Sequence, residues 1–151
     1  MDGTALLEGA STLQSTPVGR LAMAAIATGI AQAALDHARS YADVREQFGH
    51  KLREFEGLQF KLADMAMQVE AARALLQKAA AEPSAALTAM AKVFASEAAM
   101  WVSTQAVQIF GGYGYMRDYP VEKLMRDAKA TELMEGVNEI QRVTIARELY
   151  D

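Results

Sequence analysis

The sequence predicts an all-α protein, a four-helix up-and-down bundle with a short additional helix at its C-terminal end. Three observations carry this. Small and apolar residues recur at helical three- and four-residue spacing along three long segments. Proline or glycine closes each segment. No stretch shows the period-two alternation of a convincing strand. Three helices of roughly 27 to 30 residues would each reach about 40–45 Å, and the short links between them make neighbours antiparallel.

Residues 1 to 15 are small and polar and read as a flexible lead-in, with the domain over 16–151. Thr16-Pro17 is a helix start, a capping hydroxyl followed by proline at the first helical position. From Val18 to about Gln47, Ala24, Ala27, Ala31, Leu35, Ala38 and Ala42 form a small-residue face that admits a close neighbour. Phe48-Gly49-His50 ends this helix. The second helix, about Phe55 to Ala81, carries a packing seam of Leu58, Leu62, Met65, Val69, Ala72 and Leu76. Glu82-Pro83-Ser84 breaks it. The third runs to about Phe110, with Leu87, Met90, Phe94, Ala98, Trp101 and Gln105 on or near one face. Gly111 to Tyr115 reads as a loop. A shorter helix begins near Tyr119-Pro120 and runs through Ala128. Glu135-Gly136 interrupts, and a last helix follows over about Asn138 to Tyr150. Met65, Met67, Met90, Met100, Met125, Met134 and Trp101 are expected to fill the core.

Composition excludes several classes of function. The chain has 151 residues, 52% hydrophobic, enough for one domain with its own core. The net charge is −4, with 15 basic and 19 acidic residues interspersed, and no basic block points to nucleic acid or an anionic membrane. There is no cysteine, so disulfides and thiol chemistry are out. His37 and His50 do not form a metal-ligand pattern, so no metal site is expected. The start has no signal-peptide pattern. The most apolar stretch, Leu21 to Leu35, is too short for a span of about 20 residues. A cytoplasmic protein without a membrane span is the expectation.

Three short constellations have a chemical reading beside a structural one. In Arg45-Glu46-Gln47-Phe48-Gly49, a guanidinium at a helix end can pair with a phosphate through two parallel hydrogen bonds. Equally, Arg45 can complement the helix C-terminus while Gly49 caps it. In Gln108-Ile109-Phe110-Gly111-Gly112, two glycines expose backbone N–H groups to a ligand, or merely stop a helix. Glu135-Gly136 sits at a break between helices, where the negative end of a helix dipole disfavours a carboxylate. Such a carboxylate can take a proton from beside a carbonyl once a ligand desolvates it. It can also be an exposed acid in a connection.

Taken in order, Arg-x-x-Phe-Gly (45 to 49), Leu62-Ala63-Asp64-Met65, Gln108 to Gly112, Tyr119 to Lys129, Glu135-Gly136 and Ile140-Gln141-Arg142 resemble the C-terminal helical domain of the acyl-CoA dehydrogenases. The resemblance covers about Val18 to Tyr150. It implies the four-helix bundle that closes those flavoenzymes, with FAD lying between it and two further domains. It implies an acyl-CoA substrate, an electron-transfer flavoprotein as electron acceptor, and a homo-oligomer, dimer or tetramer. Glu135 matches the base that takes the α-proton while a β-hydride goes to the flavin. Gly136 matches the residue beside the thioester, and Arg20 the arginine near the acyl-CoA site. Arg45, Gln47 and Phe48 match positions near the FAD pyrophosphate of a neighbouring subunit. Gln108, Ile109, Phe110, Gly111 and Gly112 match the segment holding the ADP part across the dimer interface. Val137, Asn138 and Glu139 match positions near the adenine side of the flavin. Some members carry the base just before the arginine of the first helix. Gly19 stands there in this chain, which favours Glu135.

The chain also departs from the pattern. Val137 stands where threonine is usual, Glu56 where glutamine is frequent, and Pro17 where an acid is common. Two of the enzyme's three domains are absent from this chain. The expected function is therefore α,β-dehydrogenation of an acyl thioester by the enzyme of which this is the C-terminal domain. The alternatives are a non-catalytic helical assembly module, or a subunit of a split flavoenzyme whose partner chain supplies the missing domains. Relatives also include oxidases and flavin hydroxylases, from which the retained Glu135 leads back to dehydrogenation.

Overall fold

The computed structural model describes residues 15–150. The expected flexible lead-in lies outside them but for Ser15. Five α-helices account for most of the described residues: α1 (Pro17–Val44), α2 (Glu56–Ala81), α3 (Ala85–Phe110), α4 (Val121–Leu133) and α5 (Asn138–Glu148). The start of α1 is as the sequence suggests. Thr16 Oγ accepts the Gly19 N–H at 3.0 Å, and Pro17 occupies the first helical position. At the head of α3, Ser84 Oγ accepts from Leu87 N at 3.0 Å. The positions around Pro83 carry the tight reversal between α2 and α3.

Alanine sets how closely the helices approach. Ala24, Ala27, Ala31, Ala34, Ala38 and Ala42 of α1 are fully buried. The first five share one core cluster with Ala91, Ala95, Ala99, Val102 and Ala106 of α3, the central helix, on which α1, α2, α4 and α5 all pack. The α2 seam is as expected: Met65, Val69 and Ala72 are buried, and Leu58, Leu62 and Leu76 pack against the same core. Both α1 and the stretch Ala85–Tyr115 are long and apolar enough to cross a bilayer. The short apolar stretch seen in the sequence understates this. Here the alanine face of α1 and the alanine and valine face of α3 lie in the bundle core.

Several expectations need correcting. The first helix ends at Val44, not near Gln47, because Glu46-Gln47 (β1) and His50-Lys51 (β2) form a small antiparallel ladder. Phe48 and Gly49 join them in a two-residue turn, both at positive φ, 54° and 78°. That pattern matches the twist of a hairpin. Strands of two residues are too short to show any alternation in sequence. Gly49 is thus a hairpin residue and not a helix cap. The fourth helix runs on to Leu133, since Lys129 to Glu132 favour helix and the stop lies at Met134–Gly136. Met67, Met134 and Trp101 are exposed, 62%, 55% and 39%. Met67 stands two residues past buried Met65, on the opposite side of α2. On α3 the close approach of α1 needs alanine and serine at the centre. Phe94 and Trp101 are thereby displaced to a rim beside Gln68 of α2.

Candidate active site

The turn between α4 and α5 is one of two places among the described residues where a residue other than glycine lies at positive φ. Glu135 and Gly136 both lie at positive φ, 55° and 82°. Glycine adopts this freely; for a glutamate it costs about 1–2 kcal/mol. Strain of this kind persists only where the surroundings impose it. Here they do so through the turn's carbonyls. Gln141, fully buried, donates from Nε2 to Glu135 O at 3.0 Å and Gly136 O at 3.3 Å. Lys92 of α3 donates from Nζ to Glu132 O at 2.9 Å, Gly136 O at 3.0 Å and Asn138 Oδ1 at 2.7 Å. Burial holds the Lys92 ammonium below its ordinary pKa, against the opposing pull of Glu132, Glu139, Glu135 and Glu97.

With its carbonyls turned inward, the turn sends the Glu135 side chain outward onto α1. A Cβ built on Gly19 would overlap Glu135 Oε2 and lie 2.6 Å from its Cδ. The carboxylate therefore rests against the bare Cα of Gly19, in the first turn of α1. This resolves the electrostatic puzzle of an acid following a helix C-terminus. The positive end of a second helix meets the carboxylate, a placement worth about 0.3–1 kcal/mol. Arg20 joins the same cluster. Its Nε donates to Ser15 Oγ at 3.0 Å, Nη2 to Ser15 O at 2.9 Å and Nη1 to Ala85 O at 3.0 Å. Ser15 in turn lies against Gly136, where an added Cβ would meet Ser15 Cβ at 3.2 Å. Glu135, Gly136 and Arg20 thus come together, exposed or half-buried, at one end of the bundle.

The other end gathers a second set. Arg45, Gln47, Ile109, Phe110, Gly111 and Gly112 line an open cavity of about 520 Å³, with Tyr41, Leu52, Tyr113 and Met116. The Arg45 guanidinium lies 5.6 Å from the centre of the Tyr113 ring. Among the described residues it has no carboxylate partner. Tyr41 stacks on Phe110 with ring centres 4.0 Å apart, and Tyr119 packs edge-on to both, which ties α1, α3 and the entry of α4 together. Phe48 stands at the hairpin tip, 91% exposed. Gln108 is exposed beside the cavity.

The remaining candidates divide. Val137 is half-buried and Glu139 exposed. Asn138 is buried and its amide is engaged inside the chain, donating to Ser96 Oγ at 3.0 Å and Glu97 Oε1 at 3.4 Å while accepting from Lys92. Lys92 and Gln141 were not singled out from the sequence as functional. For Lys92 one signal was present: it is the single basic residue in the 26 of α3.

Comparison with known proteins agrees with this architecture. Residues 9–150 match the family model described as acyl-CoA dehydrogenase, C-terminal domain. An acyl-CoA dehydrogenase of Bacillus subtilis is 54% identical over 137 residues, covering 87% of this chain and 36% of that protein. A second protein of Bacillus subtilis, the probable acyl-CoA dehydrogenase YngJ, is 52% identical over 136 residues, again covering 87% and 36%. The structure of butyryl-CoA dehydrogenase from Megasphaera elsdenii superposes with a TM-score of 0.88 at 50% identity, covering 89% of this chain and 37% of that one. The chain spans little more than a third of the length of these relatives. It belongs to the acyl-CoA dehydrogenase family, as that family's C-terminal helical domain.

Proposed function

We propose that the chain supplies the catalytic base and part of the flavin site of an FAD-dependent acyl-CoA dehydrogenase. The observation that carries this reading is the Glu135 carboxylate, directed onto Gly19 by a turn clamped from inside by Lys92 and Gln141. A base must meet an acidic C–H at a fixed position, and a carboxylate on a braced turn is suited to that. In the proposed reaction Glu135 takes the α-proton of the acyl thioester, with Gly136 and Arg20 beside it shaping that end of the site. FAD would supply the hydride acceptor. Arg45, Gln47, Phe48 and Gln108 to Gly112 would hold its phosphates and adenosine: an unpaired guanidinium and two side-chain-free backbone positions line one cavity, and Phe48 is exposed at the nearby hairpin tip. An electron-transfer flavoprotein is the proposed acceptor of the electrons.

Gly19 and Arg45 stand at opposite ends of α1, about 40 Å apart at 1.5 Å per residue. Two clusters so separated serve two different sites, so a homo-oligomer, in which each copy completes its neighbour's flavin site, follows from this reading. The test replaces Glu135 by Gln in the flavoprotein assembled with the missing two-thirds of the polypeptide. Acyl-CoA should then no longer bleach the flavin, while FAD and acyl-CoA still bind. Bleaching at the wild-type rate would remove Glu135 as the base. A second reading, a non-catalytic assembly module, draws support from large apolar side chains left exposed, Ile26, Phe60 and Met67 among them.

A further inference from the structure

Lys92 is fully buried, yet among the described residues no carboxylate touches its ammonium. Its three N–H donors are all used, each on an uncharged oxygen. The three acceptors come from three successive pieces of chain. Glu132 O is one of the last carbonyls of α4, which have no partner within that helix. Gly136 O belongs to the strained turn, and Asn138 Oδ1 to the first residue of α5. Burying a cation among neutral groups is costly, and an apolar side chain of similar length would fill the same space. What an apolar side chain would not do is hold three oxygens at one point. Those oxygens bracket Glu135 on both sides along the chain, and Gln141 holds the carbonyl of Glu135 itself.

We propose that Lys92 is a positioning residue for Glu135: by drawing Glu132 O, Gly136 O and Asn138 Oδ1 together it fixes the left-handed turn that delivers the carboxylate to Gly19. The proposal rests on the reading of Glu135 as the base, but its first consequence is conformational and is measurable in this chain alone. Since the chain has no cysteine, Lys92→Cys introduces a single thiol. Alkylation with 2-bromoethylamine in denaturant, followed by refolding, restores an ammonium at nearly the original reach. Amide hydrogen exchange at Met134, Ile140 and Gln141, whose N–H groups bond to Ala130 O and Val137 O on either side of the turn, should rise roughly 10- to 100-fold in Lys92→Cys, because the turn's acceptors lose their donor. Amides in the middle of α1 and α2 should change far less, and aminoethylation should return the turn to its native rate. Unchanged exchange at the turn would overturn the proposal. If the unalkylated variant does not refold, the aminoethylated protein and Asn138→Ala carry the comparison. The first must exchange as native and the second faster at the turn; a native rate in Asn138→Ala is then the overturning result. In the assembled flavoprotein, Lys92→Met should slow flavin bleaching at saturating acyl-CoA by about 100-fold, the effect of a base misplaced by about 1 Å, with little change in half-saturation. Glu135→Gln separates the two readings. Bleaching intact in Glu135→Gln refutes the base while leaving the exchange result standing. Bleaching lost in Glu135→Gln but full in Lys92→Met refutes the positioning role.

Discussion

Glu135 and Gly19 compete for one space, and only one of the two positions can carry a side chain into it. On the proposed reading of Glu135 as the base, a carboxylate could reach the same point either from the α4–α5 turn or from the first turn of α1. The shared space also makes Gly19→Ala an informative substitution. The added methyl group must displace the carboxylate, which is the free end of a flexible side chain and can swing away at little cost, while the Thr16 hydroxyl, 3.1 Å from the new Cβ, must give by a few tenths of an ångström. Alanine meanwhile suits a helix better than glycine by about 0.5–1 kcal/mol. Stability and activity should therefore part company. The melting temperature of Gly19→Ala should hold or rise, while flavin bleaching by acyl-CoA falls by roughly 100-fold. Thermal denaturation of the chain and stopped-flow bleaching of the assembled flavoprotein read the two effects. A variant that bleaches at full rate would show that the carboxylate acts from somewhere other than its resting place on Gly19.

The elements differ in how far they depend on contacts distant in sequence. At the far end of the bundle, Gly111 to Tyr115 forms a 3₁₀ turn folded back on the last turn of α3. A Cβ on Gly114 would stand 2.6 Å from Val107 O and 2.9 Å from Phe110 Cβ, with backbone on one side and a packed aromatic on the other. One on Gly112 would meet nothing within 4 Å. Gly114→Ala should therefore destabilise the chain by about 1–3 kcal/mol, the usual effect of overpacking. Gly112→Ala should leave unfolding by urea nearly unchanged, and equal midpoints for the two would argue against this account of the turn. The sequence makes the helices legible because their determinants are local: Thr16-Pro17 and Ser84 at starts, Pro83 at a stop, the alanine ladder of α1, the Leu58-to-Leu76 seam of α2. Glu135-Gly136 was legible as a break and a candidate site for the same reason. The end of α1 is not legible in the sequence, because the hairpin that shortens it turns on Phe48, a residue that disfavours positive φ. Lys92 escaped as a site residue because its acceptors lie 40 to 46 residues further along the chain. Two of them are carbonyl oxygens that every residue type possesses, so no side-chain pattern announces them.

At the scale of the whole molecule, the core closes on itself while much of the outer surface remains apolar. Ala24 to Ala38, Ala91 to Ala106, Met65 and Val69 bury one continuous centre. Outside it, Val18, Ile26, Phe60 and Met67 are exposed by 76%, 52%, 61% and 62%, and Phe94 and Trp101 by more than a third. Scattered apolar side chains are normal on any protein, but several large ones on the outer faces of adjacent helices mark surfaces made to be covered. In relatives nearly three times as long, the additional polypeptide is available to cover them. In this chain, further copies are the nearest substitute. On the proposed reading, the division of the two clusters between opposite ends of α1 points the same way, since one copy would not bring both to a single flavin. The purified chain should therefore self-associate at micromolar concentration in sedimentation velocity, with an average mass that rises with loading. Phe60→Glu, which places a charge on the outer face of α2, should shift the distribution toward monomer. Its melting temperature, measured where both proteins are monomeric, should barely move, because an exposed position contributes only about ±0.5 kcal/mol. A wild-type chain that stays monomeric across that range would remove the assembly argument and leave the missing segments, and not other copies, as the natural cover for these faces.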